Sequence, residues 1–88
     1  MEFSNEEIAE FVKNIEMCKV FSTNLVAIGY NSETKILRVI FKGNSSYLYF
    51  NVEPEVYELI SNSDSKGKTL NEQVVRQKEK YKYIKLNS

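Results

Sequence analysis

Tyr47-Leu48-Tyr49-Phe50 places large side chains on both faces of one strand, which constrains the fold more than any other stretch of the chain. Side chains alternate across a strand, so Leu48, Phe50 and Val52 point one way and Tyr47, Tyr49 and Asn51 the other. The first set reads as a core stripe. The second is an amphipathic aromatic row, able to pack under another element or to stack on a base, a ring or a partner protein.

Turn-forming residues set this strand beside two others. Leu25–Tyr30 reads as a strand, Asn31-Ser32-Glu33-Thr34 as a turn and Lys35–Phe41 as the returning strand. Lys42-Gly43-Asn44-Ser45 then turns the chain into Ser46–Val52. The predicted unit is a three-stranded antiparallel meander. In-phase pairing puts Val26, Ile28, Leu37, Val39, Phe41, Leu48, Phe50 and Val52 on one face. Leu25, Ala27, Gly29, Ile36, Arg38, Ile40, Tyr47, Tyr49 and Asn51 share the other.

Helical signals flank the meander. Ser4-Asn5-Glu6-Glu7 has the form of a capping box, and Ile8, Phe11, Val12 and Ile15 recur at helical spacing. Residues 5–16 therefore read as an amphipathic helix, and Lys19-Val20-Phe21 as a short strand leading to a turn at Ser22-Thr23-Asn24. Pro54 suits the first turn of a helix that buries Val56, Tyr57 and Ile60. A further helix starts at Ser63 or Asp64 and runs to about Gln77, presenting Leu70, Val74 and Val75. Tyr81–Leu86 reads as an additional terminal strand or an ordered tail. The expected fold class is α+β, with one helix before the meander and two after it.

Composition narrows the chemistry. Eighty-eight residues suffice for one domain, and at this size oligomerisation is a common source of stability. With no histidine, a zinc site built on imidazole, a Ser-His-Asp triad and a histidine general base are all excluded. The lone Cys18 forms no intramolecular disulfide, fits a reducing bacterial cytoplasm and reads as a small buried hydrophobe. No apolar run is long enough for a membrane span, and the acidic start is unlike a signal peptide. The expectation is a cytoplasmic protein that is not an enzyme and needs no cofactor or metal. Its neutral net charge conceals an asymmetry: Glu2, Glu6, Glu7, Glu10 and Glu16 lie near one end, and Lys66, Lys68, Arg76, Lys78, Lys80, Lys82 and Lys85 near the other. Such ends can pair within the fold or across subunits, attract phosphates, or stay solvated.

Three constellations could bind a ligand. Arg38 with Tyr47, Tyr49 and Asn51, beside the small Ala27 and Gly29, would make a hollow that stacks a planar ring and holds its phosphate or carboxylate. The same face could instead seat the N-terminal helix through Leu25, Ile36 and Ile40. Asp64-Ser65-Lys66-Gly67-Lys68-Thr69, followed by Asn71, is a candidate anion site at a helix start, though it lacks the P-loop spacing, and Asp64 and Ser65 read equally as ordinary caps. Arg76, Lys78, Lys80, Lys82 and Lys85, interleaved with Tyr81 and Tyr83, have the footprint of RNA contact or of a solvated tail.

Taken together, Ser22–Tyr30, Leu37–Phe41, Tyr47–Phe50, Val52–Tyr57 and Ser65–Lys68 with Asn71 resemble the KTSC domain, named for the C-terminal extension of some lysyl-tRNA synthetases. The resemblance spans residues 22–76 and implies a compact meander followed by helices, found in small bacterial and phage proteins or appended to an enzyme. The synthetase context makes RNA the expected ligand class. On that frame residues 1–21 are an N-terminal helix and lead-in, 22–78 the core domain and 79–88 a basic, aromatic tail. The acidic helix is an addition to the family core, and Arg76-Gln77-Lys78-Glu79-Lys80-Tyr81 lacks the glycine usual in the family's last segment. The expected function is a non-catalytic module for RNA or a nucleotide-like anion, using Arg38, Tyr47, Tyr49, Asn51, Ser65, Lys66, Gly67, Lys68, Asn71, Arg76 and Lys78. The alternative is a phage- or mobile-element-encoded homo-oligomer that engages a protein partner or sequesters a nucleotide.

Overall fold

Five antiparallel strands form one sheet in chain order: β1 (Met17–Lys19), β2 (Leu25–Asn31), β3 (Ile36–Phe41), β4 (Ser46–Tyr49) and β5 (Tyr83–Leu86). The computed structural model describes residues 3–86; Glu2 of the acidic start and residues 87–88 of the tail lie outside the described residues. The predicted meander is the centre of this sheet. The lead-in strand, found at Met17–Lys19 rather than Lys19–Phe21, adds an edge beside β2. The tail adds the other edge beside β4, with Tyr83 opposite Tyr49 and Lys85 opposite Tyr47.

Helices cover both faces. In α1 (Asn5–Val12) the capping box is formed, Ser4 Oγ accepting from the Glu7 N–H and Glu7 Oε1 from the Ser4 N–H, each at 3.1 Å. The helix stops short of the predicted residue 16 because Lys13 is extended (ψ 138°) and Asn14 left-handed (φ 63°). Pro54 begins α2 (Pro54–Ser61) as predicted. After it, α3 (Lys66–Leu70) runs into a π-helical segment, Asn71–Val75, where the Arg76 N–H bonds Asn71 O at 2.9 Å. The predicted single helix to Gln77 is thus shorter and changes its winding midway.

Pairing corrects the predicted faces. Phe41 N–H bonds Ser45 O at 2.8 Å and Ile40 faces Ser46, so β3 and β4 are joined by Lys42–Asn44 alone. Gly43 (φ 91°) and Asn44 (φ 67°) supply the left-handed backbone of this tight connection. One residue fewer than expected slides β4 by one position and reverses its faces. Tyr47 now faces Val39 and Tyr49 faces Leu37, while Leu48 lies opposite Arg38. A bulge between Leu25 and Ala27 makes a second change: Leu25 is fully buried opposite Phe41, and Val26 is 39% exposed. At Asn51 a left-handed φ of 59° ends the strand early and breaks its alternation. Phe50 consequently stays with Leu48, whereas Val52 crosses to the other core.

The result is a sheet between two apolar layers. On one face Leu25, Ile28, Leu37, Val39 and Tyr49 pack with Val52, Ile60, Leu70, Val74 and Tyr81. On the other Ile36, Leu48 and Leu86 meet Ile8, Phe11, Val12 and Ile15 from α1 and its exit. Ile36 therefore seats the N-terminal helix as anticipated, and Leu25 does not. Cys18 is exposed, contrary to its reading as a buried hydrophobe, because it lies on the outermost strand. Among the described residues no helix is long and apolar enough to cross a membrane, and the ion pair present is Lys35–Glu53 at 3.2 Å rather than one joining the acidic and basic ends.

The bulge makes a direct prediction for neighbouring residues. Leu25→Ala should destabilise the fold by about 2–5 kcal/mol, as loss of a fully buried leucine does. Val26→Thr should stay within about 0.5 kcal/mol, a surface-sized effect. Urea unfolding of the two variants measures both, and equal losses would place Val26 in the core.

Candidate functional site

Two segments far apart in sequence meet at one end of the helical layer. Ser22-Thr23-Asn24 and Ser65-Lys66-Gly67-Lys68 line an open cleft of about 520 Å³, with Lys42 from the hairpin and Asp64 at its margin. Their approach depends on Gly67, which is buried. A Cβ there would collide with Asn24 Oδ1 and lie 2.9 Å from Ser22 Oγ. Ser22 Oγ donates to Asn24 Oδ1 at 3.0 Å, and Asn24 N–H bonds Ser22 Oγ at 3.4 Å, which holds that loop in shape. The other loop is held by Ser65 N–H to Ser63 Oγ at 3.0 Å and by a 2.7 Å contact between the Ser63 and Thr69 hydroxyls.

The charge at this cleft is mostly positive. Lys42 and Lys68 are exposed, and Lys66 is half-buried with its Nζ donating to Ser63 O at 3.0 Å. Asp64 is the one acid lining it. Phe21 stands at the lip with its side chain fully in solvent. A phosphate or carboxylate would find ammonium groups and small hydroxyls here, with an aromatic ring alongside. Ser65–Lys68, expected from the sequence to hold an anion, are therefore part of the lining of a larger cleft. Phe21, Ser22, Thr23, Asn24 and Lys42, read from the sequence as lead-in and turns, complete it.

The tyrosines form a separate cleft. Tyr47, Tyr49 and Tyr83 line about 350 Å³ with Phe41, Ser45, Val75 and Lys78. Ring centroids lie 6.3 Å apart for Tyr47–Tyr49, 5.8 Å for Tyr49–Tyr83 and 6.1 Å for Tyr47–Tyr83, with Phe41 edge-on to Tyr47 at 5.7 Å. Tyr49 is the buried floor and Tyr83, about half exposed, the open wall. Burial, then the neighbouring Tyr47 and Tyr83 hydroxyls, pushes the Tyr49 phenol up to about 12. On the same face, Tyr30 stacks on Tyr57 at 4.8 Å and donates to Val52 O. Burial raises both of those phenols, with Glu53 and Glu55 adding to the effect at Tyr30.

Other predicted residues fall elsewhere. Arg38 lies on the opposite face from the tyrosines, so the expected hollow joining them does not form. It sits opposite Gly29 and Leu48, and its Nε is buried without a hydrogen-bond partner among the described residues. The space over Gly29 is occupied by Ile15–Met17. Asn51 is exposed and supplies a left-handed turn; Asn71 begins the π-helical segment, and Arg76, exposed, caps it. None of these three lines either cleft. Among the described residues no group of three or more cysteine, aspartate and glutamate side chains is placed to hold a metal ion.

The chain matches the model of the KTSC domain over residues 21–83 and belongs to that family. It is similar to a protein of Tsukamurella paurometabola, 36% identical over 55 residues that cover 62% of this chain and 82% of the relative. A protein of Stutzerimonas stutzeri is 33% identical over 66 residues, 75% of this chain and 90% of that one. The crystal structure of a KTSC domain protein from Yersinia pestis superposes with a TM-score of 0.73 at 22% identity, covering 83% of this chain and 99% of the other, and so shares the fold. Both clefts lie within the matched residues, whereas α1 precedes them.

The raised Tyr49 phenol predicts a pH dependence. The folded state holds that proton up to about pH 12 against an ordinary 10.0, so stability is intact below pH 10 and falls as pH rises between those values. Two pH units correspond to about 3 kcal/mol at most. Tyrosinate absorbance and circular dichroism, recorded together from pH 9 upward, should show the last tyrosine ionising as the fold is lost. Tyr49→Phe should make the fold less sensitive to base; the same sensitivity in that variant would assign the effect to other groups.

Proposed function

We propose that this KTSC domain protein is a non-catalytic binding module for RNA or a nucleotide-like anionic ligand, whose phosphate occupies the cleft between Ser22–Asn24 and Ser65–Lys68. The observation that carries this reading is the convergence of Lys42, Lys66 and Lys68 on that cleft beside the solvent-exposed Phe21. Ammonium groups on flexible stems suit a phosphate as point charges, and an exposed ring suits a base or another planar group. The packing of Gly67 against Asn24 sets the shape of the cleft before any ligand arrives, which lowers the cost of ordering it. The cytoplasm is the setting in which such a ligand would be met.

A homo-oligomeric protein-interaction role is the second reading. It draws on Leu59, 55% exposed on α2 beside Glu55 and Glu58. Sedimentation of the free protein addresses it: a monomer at high micromolar concentration would remove the oligomer from consideration.

Fluorescence anisotropy with labelled single-stranded RNA, and competition by ATP, tests the leading reading. Binding at about 50 mM salt should weaken steeply toward 200 mM, as phosphate contacts require. Lys42→Glu and Lys68→Glu should each weaken binding, and each should reduce the slope against log salt by about 0.7 for a single strand. Absence of binding by RNA and ATP at low salt, or unchanged affinity in both variants, would overturn it.

A further inference from the structure

The two clefts lie at opposite ends of one helical run. Gly67 belongs to the lysine cleft and Val75 to the tyrosine cleft, a separation of eight residues along α3 and the π-helical segment. At 1.5 Å per α-helical residue, and less through the π-helical turn, that is at most roughly 12 Å. The same strand end serves both: Phe41 lines the tyrosine cleft, and its neighbour Lys42 lines the lysine cleft. The β3–β4 hairpin thus runs beside the helical run, with a cleft on each side of the Phe41–Lys42 junction.

We infer that the ligand of this surface is a single-stranded nucleic acid that spans both clefts, with a phosphate at Lys42, Lys66 and Lys68 and a base against Tyr83 and Tyr47. This inference rests on the proposed function above and narrows it from a phosphate-bearing ligand to a strand of several nucleotides. Roughly 12 Å matches about three to four nucleotides at a stacked spacing of 3.4 Å, and fewer if the strand is stretched.

The lining of the tyrosine cleft and the distance between the clefts favour a strand over a mononucleotide or a duplex. The tyrosine cleft, about 350 Å³, has the size of a small-ligand site, and its wall is an exposed ring on an edge strand. Its lining includes Lys78 and no acid, and Lys85 lies beside Tyr47 on the same face, so the cleft complements a negative backbone. A base must leave the double helix to stack against the exposed face of Tyr83, and single strands offer their bases without unpairing. A nucleoside monophosphate holds its phosphate and base closer together than the roughly 12 Å between the clefts, so it occupies one of them at a time.

The test uses the intact protein and fluorescein-labelled oligouridylates of about two, four, eight and twelve nucleotides, with UMP as a competitor. Affinity should climb steeply up to about four nucleotides and then level. Tyr83→Ala, at a half-exposed position, should weaken the eight-mer on the order of tenfold and leave UMP competition in place, with circular dichroism confirming that the variant is folded. Lys68→Ala should weaken both. Oligothymidylate arms separate the two sources of a single strand: equal binding marks single strands generally, and weaker binding marks contact with the 2′-hydroxyl, both within the inference. Affinity independent of length, equal competition by a blunt duplex, or Tyr83→Ala and Lys78→Ala without effect while Lys68→Ala weakens binding would overturn the two-cleft path and leave the phosphate cleft standing. Failure of every oligonucleotide and of UMP to bind would instead defeat the proposed function beneath it.

Discussion

The three-residue connection between β3 and β4 is the constraint on which the remainder of the molecule depends. Because strand side chains alternate with a period of two, one residue more or less in that hairpin exchanges the faces of β4. The connection observed sends Tyr47 and Tyr49 toward the helices between β4 and β5, and Leu48 beneath the helix that precedes the sheet. β5 is then recruited in the same phase, with Tyr83 and Lys85 joining the tyrosines and Ile84 and Leu86 joining Leu48. The aromatic cleft, the separation of Arg38 from it and the docking surface for α1 all follow from this register.

Much of this architecture was legible in the sequence. Ser4 and Glu7 announced the first helix, Pro54 the second, and the alternation through Leu25–Tyr30 and Leu37–Phe41 the central strands, because each is a local pattern. What escaped depends on single backbone choices that composition does not encode. Lys42-Gly43-Asn44-Ser45 is turn-like throughout, and nothing in its side chains says whether Ser45 belongs to the turn or to the pairing. The bulge at Val26 and the left-handed Asn51 are likewise backbone events, each of which redirects the side chains beside it.

The candidate site divides the same way. Ser65–Lys68 and the pair Tyr47–Tyr49 carried recognisable chemistry on their own. The contribution of Ser22–Asn24 and Lys42 did not, since it arises from a contact across more than forty positions between Asn24 and Gly67. Its trace in the sequence was the joint presence of both segments in the KTSC pattern, now matched over residues 21–83. Arg38 illustrates the opposite case: a chemically attractive residue removed from the tyrosines by register and half-buried, its Nε without a partner among the described residues.

The tyrosine cleft, and with it the path across both clefts, therefore stands on the phase of β4. Cross-strand nuclear Overhauser effects between backbone protons of isotopically labelled protein read that phase directly. The account predicts contacts of Val39 with Tyr47 and of Leu37 with Tyr49, together with Tyr49 to Tyr83. Contacts placing Arg38 opposite Tyr49 would return the arginine and the tyrosines to one face and contradict it.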